Sequence, residues 1–148
     1  MEKTMVLMIG IPASGKSTFY QNKLSADFVR VNLDTVKTRE REYDLICKCF
    51  YEGKSFAIDN TNVFKQLRRY YISMAQLMKY RVVGYYMRSS VKECLTRNLQ
   101  RTGKARVPDH VIEKMARNMQ RPCWSEGFDE LYYVEIKDGE YVISEWKK

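Results

Sequence analysis

Apolar and polar positions alternate in blocks along this chain. Met5-Val6-Leu7-Met8-Ile9 is nearly continuous in apolar residues, the pattern of a central parallel strand buried on both faces. A helix is predicted from about Ser17 to Ala26, with Phe19 and Leu24 on its inner face. Phe28 to Asp34 reads as a short strand with a polar tip. Thr35 through Gly53 reads as a helix on which Leu45, Ile46, Cys49 and Phe50 recur at helical spacing, with Gly53 as its C-terminal cap. Ser55 to Asn62 is the next strand, apolar and then abruptly polar. Phe64–Lys79 predicts an amphipathic helix whose core stripe is Phe64, Leu67, Tyr71, Met74 and Met78, leaving Lys65, Arg68 and Arg69 off that face.

Val82–Met87 predicts a fourth strand, and Ser90 caps a helix carrying Val91, Leu95 and Leu99. Residues 102–107 break that helix, and Pro108 and Asp109 open another that runs to about Gln120. After an irregular stretch, Leu131–Ile136 and Tyr141–Trp146 flank Lys137-Asp138-Gly139-Glu140, whose Asp-Gly signals a hairpin turn. Strand and helix alternate throughout, without repeats or linkers. The expectation is one domain over residues 1–148, a three-layer α/β/α fold with a mainly parallel sheet and a C-terminal β-hairpin.

The turn after the first strand carries the chemistry. Gly10-Ile11-Pro12-Ala13-Ser14-Gly15-Lys16-Ser17-Thr18 contains Gly-x-x-x-x-Gly-Lys-Ser, the P-loop pattern, between an apolar strand and a helix as that pattern requires. The glycines let the backbone curl around a phosphate, and the helix that follows aims its positive end at the same place. Gly10, Pro12, Ala13, Ser14, Gly15, Lys16, Ser17 and Thr18 are therefore expected to bind a nucleoside triphosphate. Lys16 would reach its β- and γ-phosphates and the Ser17 hydroxyl would ligate Mg²⁺.

In an open α/β sheet the ligand lies beyond the carboxyl ends of the strands. Three polar strand ends would converge there: Gly10–Ser17, Asn32/Asp34 and Asp59–Asn62. Asp34 suits a base that aligns an attacking hydroxyl and takes its proton, or else a member of the Mg²⁺ shell or a helix cap. Asp59 closes an apolar strand as a Walker B carboxylate does, on Mg²⁺ or its waters. Asn60, Thr61 and Asn62 are turn formers or pins for the strand ends, and Asn60 and Asn62 are candidates for the acceptor side.

The 148-residue chain carries a formal net charge of +8. That excess favours a polyanionic partner such as nucleic acid, or is a solvated basic surface. It concentrates around residues 97–121, where Arg97 and Arg101 lie four apart before a basic, Gly-containing loop. This describes a helical lid that clamps donor phosphates and excludes water. Cys47, Cys49, Cys94 and Cys123 lack zinc or disulfide-framework spacing and read as reduced thiols. No membrane-length apolar run or signal-peptide pattern stands out, so the expected location is cytoplasmic. GTPase switch motifs are not found, and a motor or AAA-type ATPase needs more chain and more parts.

Taken together, Gly10–Thr18, Val31-Asn32-Leu33-Asp34, Ala57-Ile58-Asp59-Asn60-Thr61-Asn62, Arg97 to Arg101 with Arg106-Val107-Pro108, and Glu126-Gly127-Phe128 resemble the kinase domain of polynucleotide 5′-kinases. The resemblance runs from Met5 to about Ile136. It implies a P-loop kinase fold, with ATP and Mg²⁺ handled by Lys16 and Ser17, Asp34 as general base on a 5′-hydroxyl, and Arg97 and Arg101 on the donor phosphates. The family's acceptor-phosphate arginine position is occupied here by Lys37, a point charge rather than a bidentate fork, with Arg39 expected to share the role. Lys65, Arg68 and Arg69 would extend a track along the acceptor, or are plain surface charge.

The leading expectation is thus an ATP- and Mg²⁺-dependent transferase acting on 5′-hydroxyl ends of DNA or RNA, a nucleic acid repair activity. No phosphatase domain fits, so a phosphatase or ligase would come from a separate chain. The alternatives are a kinase of a nucleoside, sugar or antibiotic hydroxyl, or a non-catalytic ATP-binding switch.

Overall fold

The computed structural model describes residues 2–88 and 90–147. Six strands form one sheet in the order β2-β3-β1-β4-β5-β6. These are β1 (Thr4–Ile9), β2 (Val29–Val31), β3 (Phe56–Asp59), β4 (Arg81–Met87), β5 (Glu130–Lys137) and β6 (Glu140–Glu145). The first five run parallel and β6 returns antiparallel on β5. The hairpin between them turns through Asp138 and Gly139, both at positive φ (51° and 76°), as a two-residue turn that follows strand twist requires.

Every residue of β1 is buried, and its alternating side chains feed two cores. Met5, Leu7 and Ile9 point with Phe56, Ile58 and Val82 toward α3 (Arg39–Glu52) and α4 (Lys65–Leu77), which supply Ile46, Cys49, Tyr71, Ile72 and Ala75. Val6 and Met8 point with Ala57, Val83 and Val134 toward α1 (Lys16–Phe19) and its π-helical continuation Tyr20–Leu24, through Phe19, Tyr20 and Leu24. The expected α/β/α layering with a mainly parallel sheet is present. A third cluster sits across the carboxyl ends of the strands. There Ile11 and Ala13 of the P-loop pack on Cys94 of α5 (Val91–Leu99) and Ile112 of α6 (Asp109–Asn118).

Three local expectations change. The strand ending at Asp34 stops at Val31, because Asn32 caps a short helix, α2 (Leu33–Val36), accepting the Thr35 N–H at 3.1 Å. The helix expected over Thr35–Gly53 is two helices. Lys37 takes a left-handed φ of 81° and Thr38 recaps α3, although Gly53 ends it at φ 67° as expected. The buried stripe of α4 is also rotated by about one position. It consists of Arg68, Tyr71, Ile72 and Ala75, while Phe64 and Met78 are nearly half exposed. Arg68 is therefore no surface cation. It is fully buried, gripping both Glu126 oxygens (2.7 and 3.1 Å) and the Asn62 and Val63 carbonyls (2.7 and 3.2 Å). The four cysteines are free thiols.

Candidate active site

The strand order places the ends of β2, β3 and β1 side by side, so the three polar strand ends meet. The P-loop leaves β1 with no room at its first glycine. A Cβ on Gly10 would lie 2.6 Å from Ser14 Oγ and 3.1 Å from Met87 Cβ. Ala13 and Gly15 hold positive φ (65° and 96°), the alternation that turns backbone N–H groups into an anion-binding concavity. Lys16 is turned back on the loop, donating from Nζ to the Ile11 carbonyl at 2.9 Å, with Ser14 Oγ at 3.5 Å. Burial among these atoms lowers its pKa to about 8. Asp59 and Cys94 oppose that shift, and Arg101 adds to it.

Ser17 and Asp59 are brought together across 42 residues: Ser17 Oγ donates to Asp59 Oδ2 at 3.2 Å. Arg30, on β2, spans the pair, with Nε 2.8 Å from Asp59 Oδ2 and a terminal nitrogen 3.0 Å from Ser17 Oγ. The other Asp59 oxygen is buried without a hydrogen-bond partner among the described residues. A buried carboxylate with a spare lone pair beside a hydroxyl fits a hard divalent cation. Among the described residues, no group of three His, Cys, Asp or Glu side chains forms a fuller metal cage.

The end of β3 holds its neighbours in register. Asn62 is buried, and its amide donates to the Met8 carbonyl at 2.7 Å, while Gly10 N–H bonds the Thr61 carbonyl at 3.0 Å. This corrects the acceptor-side expectation for Asn62, which is walled off behind the strand ends. Asn60 accepts the Leu33 N–H at 2.9 Å and Asn32 donates to the Asp59 carbonyl at 2.6 Å, so both sides of the β2–α2 corner are tied to β3. Asp34 follows in the first turn of α2, exposed and making no hydrogen bond or ion pair with the described residues. Lys37 is exposed three residues further along. Arg39 is engaged with Glu42 at 3.1 Å and the Tyr71 hydroxyl at 2.9 Å, its side chain still half exposed.

Arg97 reaches the P-loop, donating to the Ala13 carbonyl at 3.1 Å. Arg101 lies beyond the end of α5, with one nitrogen 3.3 Å from the Ala105 carbonyl and close enough to Lys16 to depress its pKa. The C-terminal hairpin closes the other side. Tyr141 donates to the Gly15 carbonyl at 3.2 Å, and Ile136 stands 3.0 Å from where a Gly15 Cβ would be. Arg30, Glu42, Tyr71 and Tyr141 escaped the sequence reading as site residues. Arg30 has a signal, a cation between two valines of a strand. So does Glu42, an acid on the stripe with Ile46 and Cys49.

This site can bind phosphate, hold a cation beside it and present an exposed carboxylate to a third group. The profile of a P-loop family described as an AAA domain matches residues 38–122, more than half the chain. The chain belongs to this AAA domain family. The match is to the domain and leaves untouched the expectation above, that a motor or AAA-type ATPase needs more chain and more parts. The domain is 27% identical to a "Bifunctional polynucleotide phosphatase/kinase" of Schizosaccharomyces pombe over 149 residues, 96% of this chain and 36% of that one. It superposes on a fungal RNA kinase with a TM-score of 0.70 at 16% identity, covering 90% of this chain and 38% of that one. A gluconokinase from Sinorhizobium meliloti 1021 gives 0.57 at 12% identity, covering 89% and 82%. The AAA domain described here thus has the P-loop kinase fold, and spans little more than a third of the Schizosaccharomyces pombe relative and the fungal kinase.

Proposed function

We propose that the chain is an ATP- and Mg²⁺-dependent kinase of 5′-hydroxyl ends of DNA or RNA. The observation that carries this reading is the meeting of three strand ends. The phosphate loop, the Ser17–Asp59 pair and the exposed Asp34 carboxylate lie at the ends of adjacent strands. The name of the Schizosaccharomyces pombe relative and the basic surface support a polynucleotide acceptor.

In the reaction, the acceptor's 5′-oxygen forms a bond to the γ-phosphorus as the bond from that phosphorus to the β–γ bridging oxygen breaks, leaving ADP. The hydroxyl proton passes to Asp34. Proton loss comes late in a loose transition state, so the chief work of the carboxylate is alignment. Lys16, released from the Ile11 carbonyl, pairs with the β- and γ-phosphate oxygens. Arg97 and Arg101 neutralise the charge that builds on the leaving side. Ser17 and Asp59 would hold Mg²⁺, which supplies charge neutralisation on the phosphates. Lys37 and Arg39, which follow Asp34 in the chain, would take the phosphate of the acceptor end.

A second reading, phosphorylation of a small hydroxyl compound, is favoured by the fold shared with the gluconokinase. Competition separates the two. The polynucleotide reading expects transfer that is inhibited by unlabelled 5′-OH oligonucleotide and falls steeply as salt rises. Transfer to gluconate or a nucleoside that ignores both oligonucleotide and salt would overturn it.

A further inference from the structure

Asn60 stands between the end of β3 and the turn that carries Asp34, and the orientation of its amide matters. Its Oδ1 accepts the N–H of Leu33, the residue before Asp34, at 2.9 Å. Its Nδ2 donates to Glu42 Oε2 at 2.8 Å. Glu42 is buried to 1% exposure, and its other oxygen accepts from the Tyr71 hydroxyl at 2.7 Å and from Arg39 at 3.1 Å. Three donors converge on its two oxygens, so it stands as an acceptor-only carboxylate. Facing such a group, an asparagine can present only its NH₂. Its oxygen must then point the other way, at Leu33. Burial, and then the bond to Glu42, push the Tyr71 phenol well above its ordinary pKa, so it remains a donor at any working pH.

We infer that Glu42 is a positioning residue: by fixing the Asn60 amide it sets the Leu33–Asp34 turn, and through it the placement of the Asp34 carboxylate. The inference rests on Asp34 acting as proposed above. Glu42 is buried behind Asn60, and among the described residues its one ion-pair partner is Arg39. The Arg39 side of the network also ties the start of α3 to the same carboxylate, so one buried group organises both ends of the segment between Leu33 and Arg39.

The test is an exchange of charge. Glu42→Gln is isosteric but offers Asn60 an NH₂ as readily as an oxygen, so the amide is free to flip and present its own NH₂ to Leu33. Asn60→Asp sets two carboxylates against each other. In the double variant the new amide at position 42 donates to the new carboxylate at position 60. That carboxylate still accepts from Leu33, and the chain of bonds is restored. Two readouts are needed, with ATP affinity and a thermal melt alongside. The first is kcat for phosphate transfer to a 5′-OH oligonucleotide. Glu42→Gln is expected to lower it on the order of 10- to 100-fold, the cost of a slightly misplaced reacting group, with ATP affinity unchanged. The second is amide hydrogen exchange at Leu33, expected to speed up roughly three- to tenfold in each single variant for the loss of one hydrogen bond.

Both readouts should return toward wild type in the double variant. Unchanged kcat and unchanged Leu33 protection in Glu42→Gln would overturn the inference, as would a double variant no better than its parents. If the single variants do not fold, the double variant carries the same test: near-wild-type protection upholds it and lost protection overturns it. The exchange readout does not depend on the substrate. A protein that phosphorylates no oligonucleotide yet loses and regains Leu33 protection as described would refute the proposed function while leaving the positioning intact.

Discussion

Lys16 enters the reaction with a displaced proton affinity, and this can be measured. In the phosphate-free protein, burial against the loop lowers its pKa from 10.5 to about 8, with Arg101 pushing the same way and Asp59 and Cys94 opposing. A bound triphosphate supplies anionic oxygens and restores the charged form. Nucleotide binding should therefore take up about 0.1 proton at pH 7, about 0.5 at pH 8 and about 0.9 at pH 9. The same fractions imply that ATP affinity falls about tenfold between pH 7 and pH 9, close to 1.4 kcal/mol.

The assay is titration calorimetry in phosphate-free buffers of differing ionisation enthalpy, where the slope of apparent enthalpy gives the protons taken up. Lys16→Met should abolish the pH-dependent slope. Arg101→Ala should shrink it at pH 8 by letting the Lys16 pKa rise. A slope near zero at pH 9 in the wild type would refute the reasoning, since Lys16 would then be charged before phosphate arrives. The sign for stability also follows. The folded pKa lies below the unfolded one, so the penalty of charging Lys16 is fully present below pH 8 and is relieved as pH rises toward 10.5.

Two further outcomes follow from buried and bridging cations. Arg68→Met strands the Glu126 carboxylate and two carbonyls, a loss of about 3–5 kcal/mol, or roughly 6–20 °C in Tm; a melt within about 2 °C of wild type would contradict the assigned pairing. Arg30→Ala removes a cation that bridges Ser17 and Asp59. It should lower the Mg²⁺ concentration at half-maximal nucleotide binding roughly two- to fivefold, the scale of a partly exposed ion pair. An unchanged or raised midpoint would show that Arg30 does not compete with the metal.

Much of this architecture is legible in the sequence, because its signals are local. The all-apolar run of β1, the P-loop spacing, the Ser90 cap and the Asp138-Gly139 turn each specify geometry within a few residues. The convergence of the three strand ends follows from the alternation of strands and helices. What escaped depends on partners far along the chain. Arg68 reads as a surface cation until Glu126, 58 residues on, is placed against it. The rotation of the α4 stripe has the same origin, since a paired arginine is as buriable as a tyrosine. Glu42 and Tyr71 meet across 29 residues and Arg30 and Asp59 across the same number, so neither pair has a sequence signature beyond an odd charge in an apolar setting. Lys37 shows the reverse case: a left-handed residue with no glycine to announce it splits one expected helix into two.

The central claim is that this chain moves the γ-phosphate of ATP onto a 5′-hydroxyl, with Asp34 receiving the proton. The most direct measurement supplies γ-labelled ATP and Mg²⁺ with a single-stranded 5′-OH oligonucleotide, for wild type, Lys16→Ala and Asp34→Asn. The account predicts label on the 5′ end in wild type alone, with Asp34→Asn still binding ATP. No label on DNA or RNA in wild type, or full transfer by Asp34→Asn, would contradict it.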